Sequence, residues 1–166
     1  MMSTPTDGGT HCTKPPENCP QWEEPPTHPG LAATRRVLVA EDDTALRELM
    51  AQHLAFEGYF VTEAADAPTM LAAILASQKI CVDAFDLIVT DVRMPGMTGL
   101  DALTRIRESG CKTPAIVVSA LPGESVQREV QALDAFFLPK PFALENLRKI
   151  ANRVVLGNQS GNLAAL

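Results

Sequence analysis

From residue 35 onwards, short apolar runs alternate with segments whose apolar residues recur at helical spacing. The apolar runs predict strands at residues 37–40, 59–63, 87–90, 115–118 and 135–138. The segments between them predict helices whose apolar stripes cover residues 46–54, 70–75, 100–106, 124–133 and 144–155. Strands that alternate with helices in this way favour a parallel sheet with helices on both faces. The pattern therefore predicts an α/β protein with five βα units.

Turn residues mark the ends of these elements. Gly58, Gly110 and Gly157 end predicted helices, and Asp42 or Asp43 is placed to cap the first one. Asp66 followed by Pro68 opens the second helix. Residues 77–86 have no clear period and predict an irregular connection before the third strand.

The first 34 residues differ in composition from the rest. They hold seven of the 13 prolines and very few aliphatic residues, which predicts a disordered, partly extended tail. His11, Cys12, Cys19 and His28 lie within it, but their spacing is loose for a metal site and no apolar scaffold surrounds them. The sequence therefore divides into a tail (1–34), a folded domain (35–156) and a short C-terminal tail (157–166).

Composition excludes several classes of protein. The net charge is −6, of which the tail carries −3, and no Lys/Arg cluster points to direct nucleic-acid binding. No apolar run reaches the ~18 residues of a membrane span, and the N-terminus does not resemble a signal peptide. No glycine-rich phosphate loop follows any predicted strand. We expect a cytoplasmic protein without membrane insertion.

Polar residues follow four of the predicted strands. Glu41 and Asp42 end the first strand, Asp91 the third and Ser119 the fourth, and Lys140 stands just beyond the fifth. In a parallel sheet these ends lie along one edge, where open α/β sheets place their ligand sites. Carboxylates that converge repel one another, and Mg²⁺ is the hard cation that relieves this repulsion. A lysine and a hydroxyl beside such a site suit a phosphoryl group, with Asp91 as the nucleophile.

Each of these residues also has an ordinary interpretation when taken alone. An acid pair that starts a helix is commonly a cap, and a single serine or lysine at a strand end is commonly a solvated group. Asp91 in isolation could be an Asx-type cap. The prediction of a site depends on all of these groups converging on one edge.

At these positions the chain resembles the receiver domain of two-component response regulators. The resemblance rests on Val37-Leu38-Val39-Ala40-Glu41-Asp42, on the run from Asp91 to Gly99 (DVRMPGMTG), on Ser119-Ala120 and on Lys140-Pro141-Phe142. It covers residues 35–156. It implies a flavodoxin-like (βα)5 three-layer sandwich of five parallel strands in the order 2-1-3-4-5.

The resemblance also implies a set of functional residues. Asp91 would be phosphorylated by a histidine kinase or a histidine phosphotransferase, and Glu41, Asp42, Asp91 and the backbone carbonyl of Arg93 would hold Mg²⁺. Lys140, preceding a cis proline bond, would pair with the phosphoryl oxygens, and Ser119 would hydrogen-bond them. Phe137 occupies the switch-aromatic position. In isolation, Arg93 has a solvent-exposed side chain and Phe137 is a core residue, so these two assignments depend on the family alone.

Two departures from the family pattern bear on signalling. The connection before the third strand is longer than is typical, which implies a surface loop or a helix extension away from the chemistry. The segment between Ser119 and Lys140 is about one residue shorter and lacks the usual glycine before the fifth strand. A shifted fourth helix would alter partner choice. The alternative function is therefore a pseudo-receiver, a binding module that acts independently of phosphorylation.

A third class, a phosphatase-type hydrolase with an aspartyl nucleophile, typically has a second acid two residues beyond the first, where this chain has Arg93. Only nine residues follow Gly157, so we expect a receiver without an output domain. Such a chain would not be an enzyme beyond Mg²⁺-dependent self-phosphorylation and self-dephosphorylation. It would signal to a downstream protein by contact or by phosphorelay.

Overall fold

Five strands alternate with five helices in the computed structural model, which describes residues 35–80, 85–120 and 123–157. The strands are β1 (Arg36–Ala40), β2 (Phe60–Ala64), β3 (Leu87–Asp91), β4 (Ala115–Ser119) and β5 (Ala135–Pro139). The helices are α1 (Thr44–Phe56), α2 (Ala67–Ile80), α3 (Gly99–Glu108), α4 (Glu124–Ala132) and α5 (Leu144–Gly157). The predicted disordered tail, with its loose set of candidate metal ligands, lies outside the described residues.

The strands form one parallel sheet in the order β2-β1-β3-β4-β5, as predicted. The central strands β3 and β4 are buried at every position, which explains why their sequences are apolar without alternation. Because all five strands run in the same direction, their carboxyl ends lie along one edge of the sheet. That edge contains Asp91.

Helices cover both faces of the sheet. On one face, α1 and α5 bury an aliphatic cluster that includes Met50, Leu54 and Leu147. On the other face, α2, α3 and α4 pack over a second cluster that includes Met70, Leu103 and Val130. Both clusters are almost entirely aliphatic, in agreement with the low aromatic content of the chain.

Side chains cap the starts of α1 and α3. The Oδ1 atom of Asp43 accepts from the backbone N of Leu46 at 3.0 Å, which caps α1 and leaves Asp42 available for another role. Thr98 and Asp101 form a reciprocal capping box at the start of α3. This box fixes α3 next to the carboxyl end of β3.

Four strands are one residue longer than predicted, and the boundaries of three other elements also differ from the prediction. The second strand begins at Phe60 and ends at Ala64, because Tyr59 belongs to the preceding turn, where its N–H donates to the carbonyl of Leu54 at 3.1 Å. The predicted irregular connection 77–86 is helical as far as Ile80, so its first four residues extend α2. Helix α4 ends at Ala132, one residue before the predicted end.

Asp134 stands just before β5, where the family usually has glycine. Its backbone adopts φ 51°, the left-handed region that glycine accepts without strain and that aspartate tolerates better than most residues. The turn is therefore retained without the glycine.

Gly99 allows α3 to approach β3 very closely. A Cβ atom at this position would overlap the carbonyl oxygen of Asp91 and would lie 2.5 Å from Thr90 Oγ1. The Gly99 N–H also donates to the carbonyl of Val92 at 3.0 Å. Gly99 thereby determines the distance between α3 and the strand end that carries Asp91.

We predict that Gly99→Ala lowers the free energy of unfolding by about 2–3 kcal/mol, because the backbone at Asp91 must move to admit the methyl group. The matched control is Gly110→Ala, whose φ of +88° is strained for alanine but whose Cβ would meet nothing within 4 Å. That control should cost only about 1 kcal/mol. Urea denaturation measures both values, and equal losses would contradict the close approach at Gly99.

Candidate functional site

The carboxyl edge of the sheet brings together the polar residues that the sequence singles out. Glu41 follows β1, Asp91 ends β3 and Ser119 ends β4. Lys140 follows β5, whose last residue, Pro139, is in register with Ser119. Glu41, Asp91 and Ser119 are buried, although each carries a polar side chain. Burial of polar groups at one edge is costly unless they are paired.

Lys140 pairs with two of these acids at once. Its Nζ atom lies 2.7 Å from Glu41 Oε2 and 2.8 Å from Asp91 Oδ1. The two carboxylate side chains are only 2% and 8% exposed, so solvent screens these ion pairs weakly. Lys140 therefore neutralises much of the repulsion between the buried carboxylates.

The backbone around Lys140 fixes the position of its side chain. The Lys140 N–H donates to the carbonyl of Ser119 at 2.8 Å, which extends the contact between β4 and β5 by one hydrogen bond. The Lys140–Pro141 peptide bond is cis, as predicted. The hydrogen bond to Ser119 holds the backbone of Lys140 beside the end of β4.

Asp91 is held by both of its carboxylate oxygens. Oδ1 contacts Lys140, and Oδ2 accepts from the backbone N of Arg93 at 2.7 Å. The side chain of Arg93 itself is exposed, as expected for that residue in isolation. The backbone of Arg93 thus orients the carboxylate, whereas the part predicted for its carbonyl group stays a prediction.

Glu41, Asp42 and Asp91 form a cluster of possible metal ligands. One carboxylate oxygen from each residue lies within 4.8 Å of those of the other two. Glu41 and Asp91 are buried, whereas Asp42 is exposed at the mouth of the site. Mg²⁺ favours carboxylate oxygens and retains several of its water ligands, so it suits a cluster of which one side is open to solvent. The three residues fit the predicted ion.

Burial and neighbouring charges shift the protonation equilibria of the site. Burial raises the pKa of Glu41, and the nearby charge of Asp91 adds to this effect, while the hydrogen bond from Lys140 opposes it. Burial alone would lower the pKa of Lys140, but its hydrogen bonds to Asp91 and Glu41 outweigh that effect and raise it. The net result is that the protonated form of Lys140 is favoured, whereas the ionised form of Glu41 is disfavoured.

Ser119 and Phe137 lie on the same face of the sheet. Val117 is in register with Phe137, and Ser119 follows Val117 by two residues, so the three side chains point to one side. Phe137 is half-buried and packs against the cluster beneath α2, α3 and α4. This placement is compatible with a coupled movement of the two residues, and their predicted part in switching stays a prediction.

Comparison with known proteins identifies the family. The sequence model of the response regulator receiver domain matches residues 37–152, which is most of the chain. The chain belongs to this family. The predicted resemblance to receiver domains is therefore confirmed, and so is the predicted fold.

The chain resembles solved receiver structures, and each match covers nearly the whole length of the solved structure. The chemotaxis protein CheY4 of Vibrio cholerae is 33% identical, with a TM-score of 0.65, and the match covers 74% of this chain and 99% of that one. The response regulator TrrA of Thermotoga maritima, whose structure contains Mg²⁺-BeF, is 25% identical with a TM-score of 0.63, and the match covers 73% of this chain and 99% of TrrA.

Curated relatives include the response regulator MprA from several mycobacteria. The MprA of Mycolicibacterium vanbaalenii is 37% identical over 138 residues, which cover 79% of this chain and 56% of the relative. The MprA of Mycobacterium tuberculosis is 40% identical over 115 residues, which cover 68% of this chain and 46% of the relative. The chain spans about half the length of the curated relatives that it matches.

The sequence did not reveal two residues that support this receiver site. Thr90 is buried, and its hydroxyl donates to the carbonyl of Asp91 at 3.1 Å. Arg47, one turn into α1, donates from Nη1 to the carbonyl of Glu41 at 2.7 Å and pairs through Nε with Glu63 at 3.3 Å. A threonine inside a strand and an arginine on a helix carry no distinctive pattern, so only the structure identifies them.

We predict that Glu41→Gln stabilises the receiver at neutral pH in buffer that contains a chelator. The pKa of Glu41 is raised in the folded state. At a pH low enough for this carboxyl to be protonated in both the folded and the unfolded state, its ionisation does not reduce the free energy of unfolding. The free energy of unfolding then falls as the pH rises from about 4.5, the ordinary pKa of a glutamate, through the raised pKa of the folded state. The glutamine should remove this loss while still accepting from Lys140.

Urea midpoints measured across the acid to neutral range test this prediction. The control is Glu129→Gln, a change of an exposed glutamate on α4 that should leave the pH profile unaltered. A profile for Glu41→Gln that runs parallel to the unsubstituted chain would contradict the unfavourable ionisation of Glu41.

We predict that Lys140→Met lowers the free energy of unfolding in chelator by about 2 kcal/mol, since it leaves two buried carboxylates without their cation. Added Mg²⁺ should restore more stability to this variant than to the unsubstituted chain. The control is Lys149→Met, because Lys149 is 66% exposed and lies 3.8 Å from Glu145. If both variants show the same stability in chelator, Lys140 does not neutralise the site.

Proposed function

We propose that the receiver accepts a phosphoryl group on Asp91 and thereby changes its contacts with a downstream protein. The observation that carries this proposal is the convergence of Asp91, the acids Glu41 and Asp42, and the cation Lys140 at one edge of the sheet. Catalysis of phosphoryl transfer is mainly a matter of position and of charge stabilisation. This edge supplies a nucleophile, positive charge and metal ligands together.

The Asp91 carboxylate is oriented from both sides, by Lys140 at Oδ1 and by the backbone N–H of Arg93 at Oδ2. Its oxygen would form a bond to phosphorus while the bond from phosphorus to the donor breaks, and the electron pair of that bond would leave with the donor. Arg93 N–H would keep one carboxylate oxygen in place during the attack. The product is an acyl phosphate on β3.

Lys140 would serve both the resting and the phosphorylated states. In the resting state it pairs with Asp91 Oδ1. Once that carboxylate becomes an acyl phosphate, Lys140 would contact the new phosphoryl oxygens, and the buried hydroxyl of Ser119 would hydrogen-bond them. A movement of Ser119 would be transmitted to Phe137 on the same face of the sheet.

The acidic cluster would hold Mg²⁺ through Glu41, Asp42, Asp91 and the carbonyl of Arg93. When bound, the ion would add positive charge next to the phosphoryl oxygens. TrrA, whose structure contains Mg²⁺-BeF, shares the fold and supports this assignment by likeness.

A receiver of this kind would take its phosphoryl group from a histidine kinase or a histidine phosphotransferase. We propose that it acts as a switch and not as an enzyme on a separate substrate, and that signalling proceeds by protein contact or phosphorelay without direct binding to nucleic acid. No helix among the described residues is long and apolar enough to cross a membrane. A cytoplasmic location and action without an output domain stay predictions.

Treatment with acetyl phosphate and Mg²⁺ should add the mass of one phosphoryl group to the chain, because Asp91 is oriented and stabilised for attack. Intact-protein mass spectrometry measures this addition, which should disappear with Asp91→Asn and with chelator. The matched control is Asp134→Asn, which changes an acid outside the site to a residue that also tolerates a left-handed backbone.

An addition that survives Asp91→Asn would refute Asp91 as the acceptor. If no addition forms on the unsubstituted chain while a partner still binds it, the alternative of a pseudo-receiver, independent of phosphorylation, would take the place of this proposal.

A further inference from the structure

Arg47, near the start of α1, is a cation held almost out of solvent beside the acids of the receiver site. Its side chain is only 13% exposed. All three nitrogens of its guanidinium have a partner: Nη1 donates to the carbonyl of Glu41 at 2.7 Å, Nη2 donates to the hydroxyl of Thr44 at 3.4 Å, and Nε lies 3.3 Å from Glu63 Oε2. Because the guanidinium is a planar, rigid fork, these contacts fix it in one orientation.

The carbonyl that Arg47 contacts belongs to the peptide group that joins two acids of the cluster. The carbonyl of Glu41 and the N–H of Asp42 lie in one planar unit, so a bond to the carbonyl fixes the plane of that unit. The N–H of Glu41 in turn donates to the carbonyl of Ala64 at 3.1 Å. Both backbone polar groups of Glu41 are therefore held, one by β2 and the other by Arg47.

Asp42 depends on this peptide group more than Glu41 does. The Glu41 side chain is buried and pairs with Lys140 at 2.7 Å, which fixes its carboxylate independently of Arg47. The Asp42 side chain is exposed, so packing does not fix it and the position of its carboxylate follows from that of its backbone. An arginine that fixes the peptide before Asp42 thereby orients the exposed member of the cluster.

Glu63 completes this arrangement from β2. Its backbone is in register with Val39 on β1, and its side chain is 43% exposed. The carboxylate pairs with Nε of Arg47, which leaves Nη1 directed at the end of β1. Strand β2 thus holds the end of β1 twice, directly through the carbonyl of Ala64 and indirectly through Glu63 and Arg47.

We propose that Arg47 is a positioning residue for the divalent cation of the receiver site. It sets the direction of the peptide between Glu41 and Asp42, so that the Asp42 carboxylate stays within reach of an ion held by Glu41 and Asp91. Groups that orient metal ligands without touching the metal typically contribute about 10–100-fold to metal affinity. The inference rests on the proposed function, in which the acidic cluster holds Mg²⁺.

Positioning and charge predict opposite effects of removing Arg47. A guanidinium beside acids reduces their negative potential, so charge alone predicts that its loss would tighten the binding of Mg²⁺. Loss of the orientation of Asp42 predicts weaker binding. The direction in which the dissociation constant changes therefore separates a positioning residue from a simple counter-ion.

Titration of the ¹⁵N-labelled full chain with Mg²⁺, without phosphodonor, measures this dissociation constant from the amide chemical shifts. Arg47→Met retains the aliphatic stem without any donor and should raise the dissociation constant about tenfold. Arg47→Lys retains the charge but not the planar fork and should raise it by an intermediate factor of about three. Urea denaturation in chelator measures the stability of each variant.

The matched control is Arg148→Met. Arg148 also bridges two elements, since its Nε donates to Glu145 on α5 at 2.7 Å and its Nη1 lies 3.5 Å from Glu57. Glu57 follows the last residue of α1, at the opposite end of that helix from the acids. This variant should lower the free energy of unfolding in chelator and leave the dissociation constant of Mg²⁺ unchanged.

An unchanged or lower dissociation constant in folded Arg47→Met would overturn the proposal, and so would an equal rise in Arg148→Met, because the effect would then follow from general destabilisation. If Arg47→Met does not fold, Arg47→Lys decides, since its charge is unaltered and unchanged affinity would contradict a role for the fork.

The same titration distinguishes failure of this inference from failure of the proposed function. If the unsubstituted chain binds Mg²⁺ and the Arg47 variants bind it equally well, only the positioning role is refuted. If the unsubstituted chain shows no saturable shifts, the cation site of the proposed function is refuted together with this inference. Weaker binding confined to the Arg47 variants supports the positioning role.

Discussion

The ion pairs of Lys140 with Glu41 and Asp91 are the interaction on which the site depends. Two carboxylates, 2% and 8% exposed, share one cation at 2.7 and 2.8 Å. Without it, the ends of β1 and β3 would present uncompensated buried charge. The same lysine sits where positive charge would be needed for a phosphoryl group, so the resting site already contains the charge that the proposed reaction requires.

The fold supplies this arrangement from four different strands. A parallel sheet aligns the carboxyl ends of its strands. The polar groups that end β1, β3, β4 and β5 are therefore brought to one edge by the sheet itself. Gly99 lets α3 lie against the end of β3, and the capping box of Thr98 and Asp101 fixes the start of that helix. The aliphatic packing on both faces makes the edge rigid, which is what orientation of a nucleophile needs.

The two edges of the sheet have opposite characters. The carboxyl edge buries charged groups and pairs them, whereas the amino edge exposes large apolar side chains at the ends of α1, α5 and β2. Helix α4, with Val130 as its single buried side chain, is lightly attached to the sheet between these edges.

Much of this protein could be predicted from its sequence alone. Apolar periodicity predicts ten elements in the observed order, because strands buried on both faces and amphipathic helices have distinct repeats. The acids, the serine and the lysine at the strand ends could also be placed at one edge, since parallel strands leave no other arrangement. Boundaries were less accurate: Tyr59 satisfies its backbone in a turn, and α2 extends to Ile80, through contacts that no local pattern encodes.

The tertiary structure decided which partner each polar group takes. Asp42 and Asp43 are equivalent as caps in the sequence, and only the geometry assigns the cap to Asp43, which leaves Asp42 in the acidic cluster that the family resemblance implies. Likewise, the sequence around Lys140 by itself indicates only a solvated lysine. In the structure, β5 places its amino group between Glu41 and Asp91, which are 99 and 49 residues away in sequence. Local patterns record which side chains are buried, whereas the pairing of buried charges depends on distances between strands that are far apart along the chain.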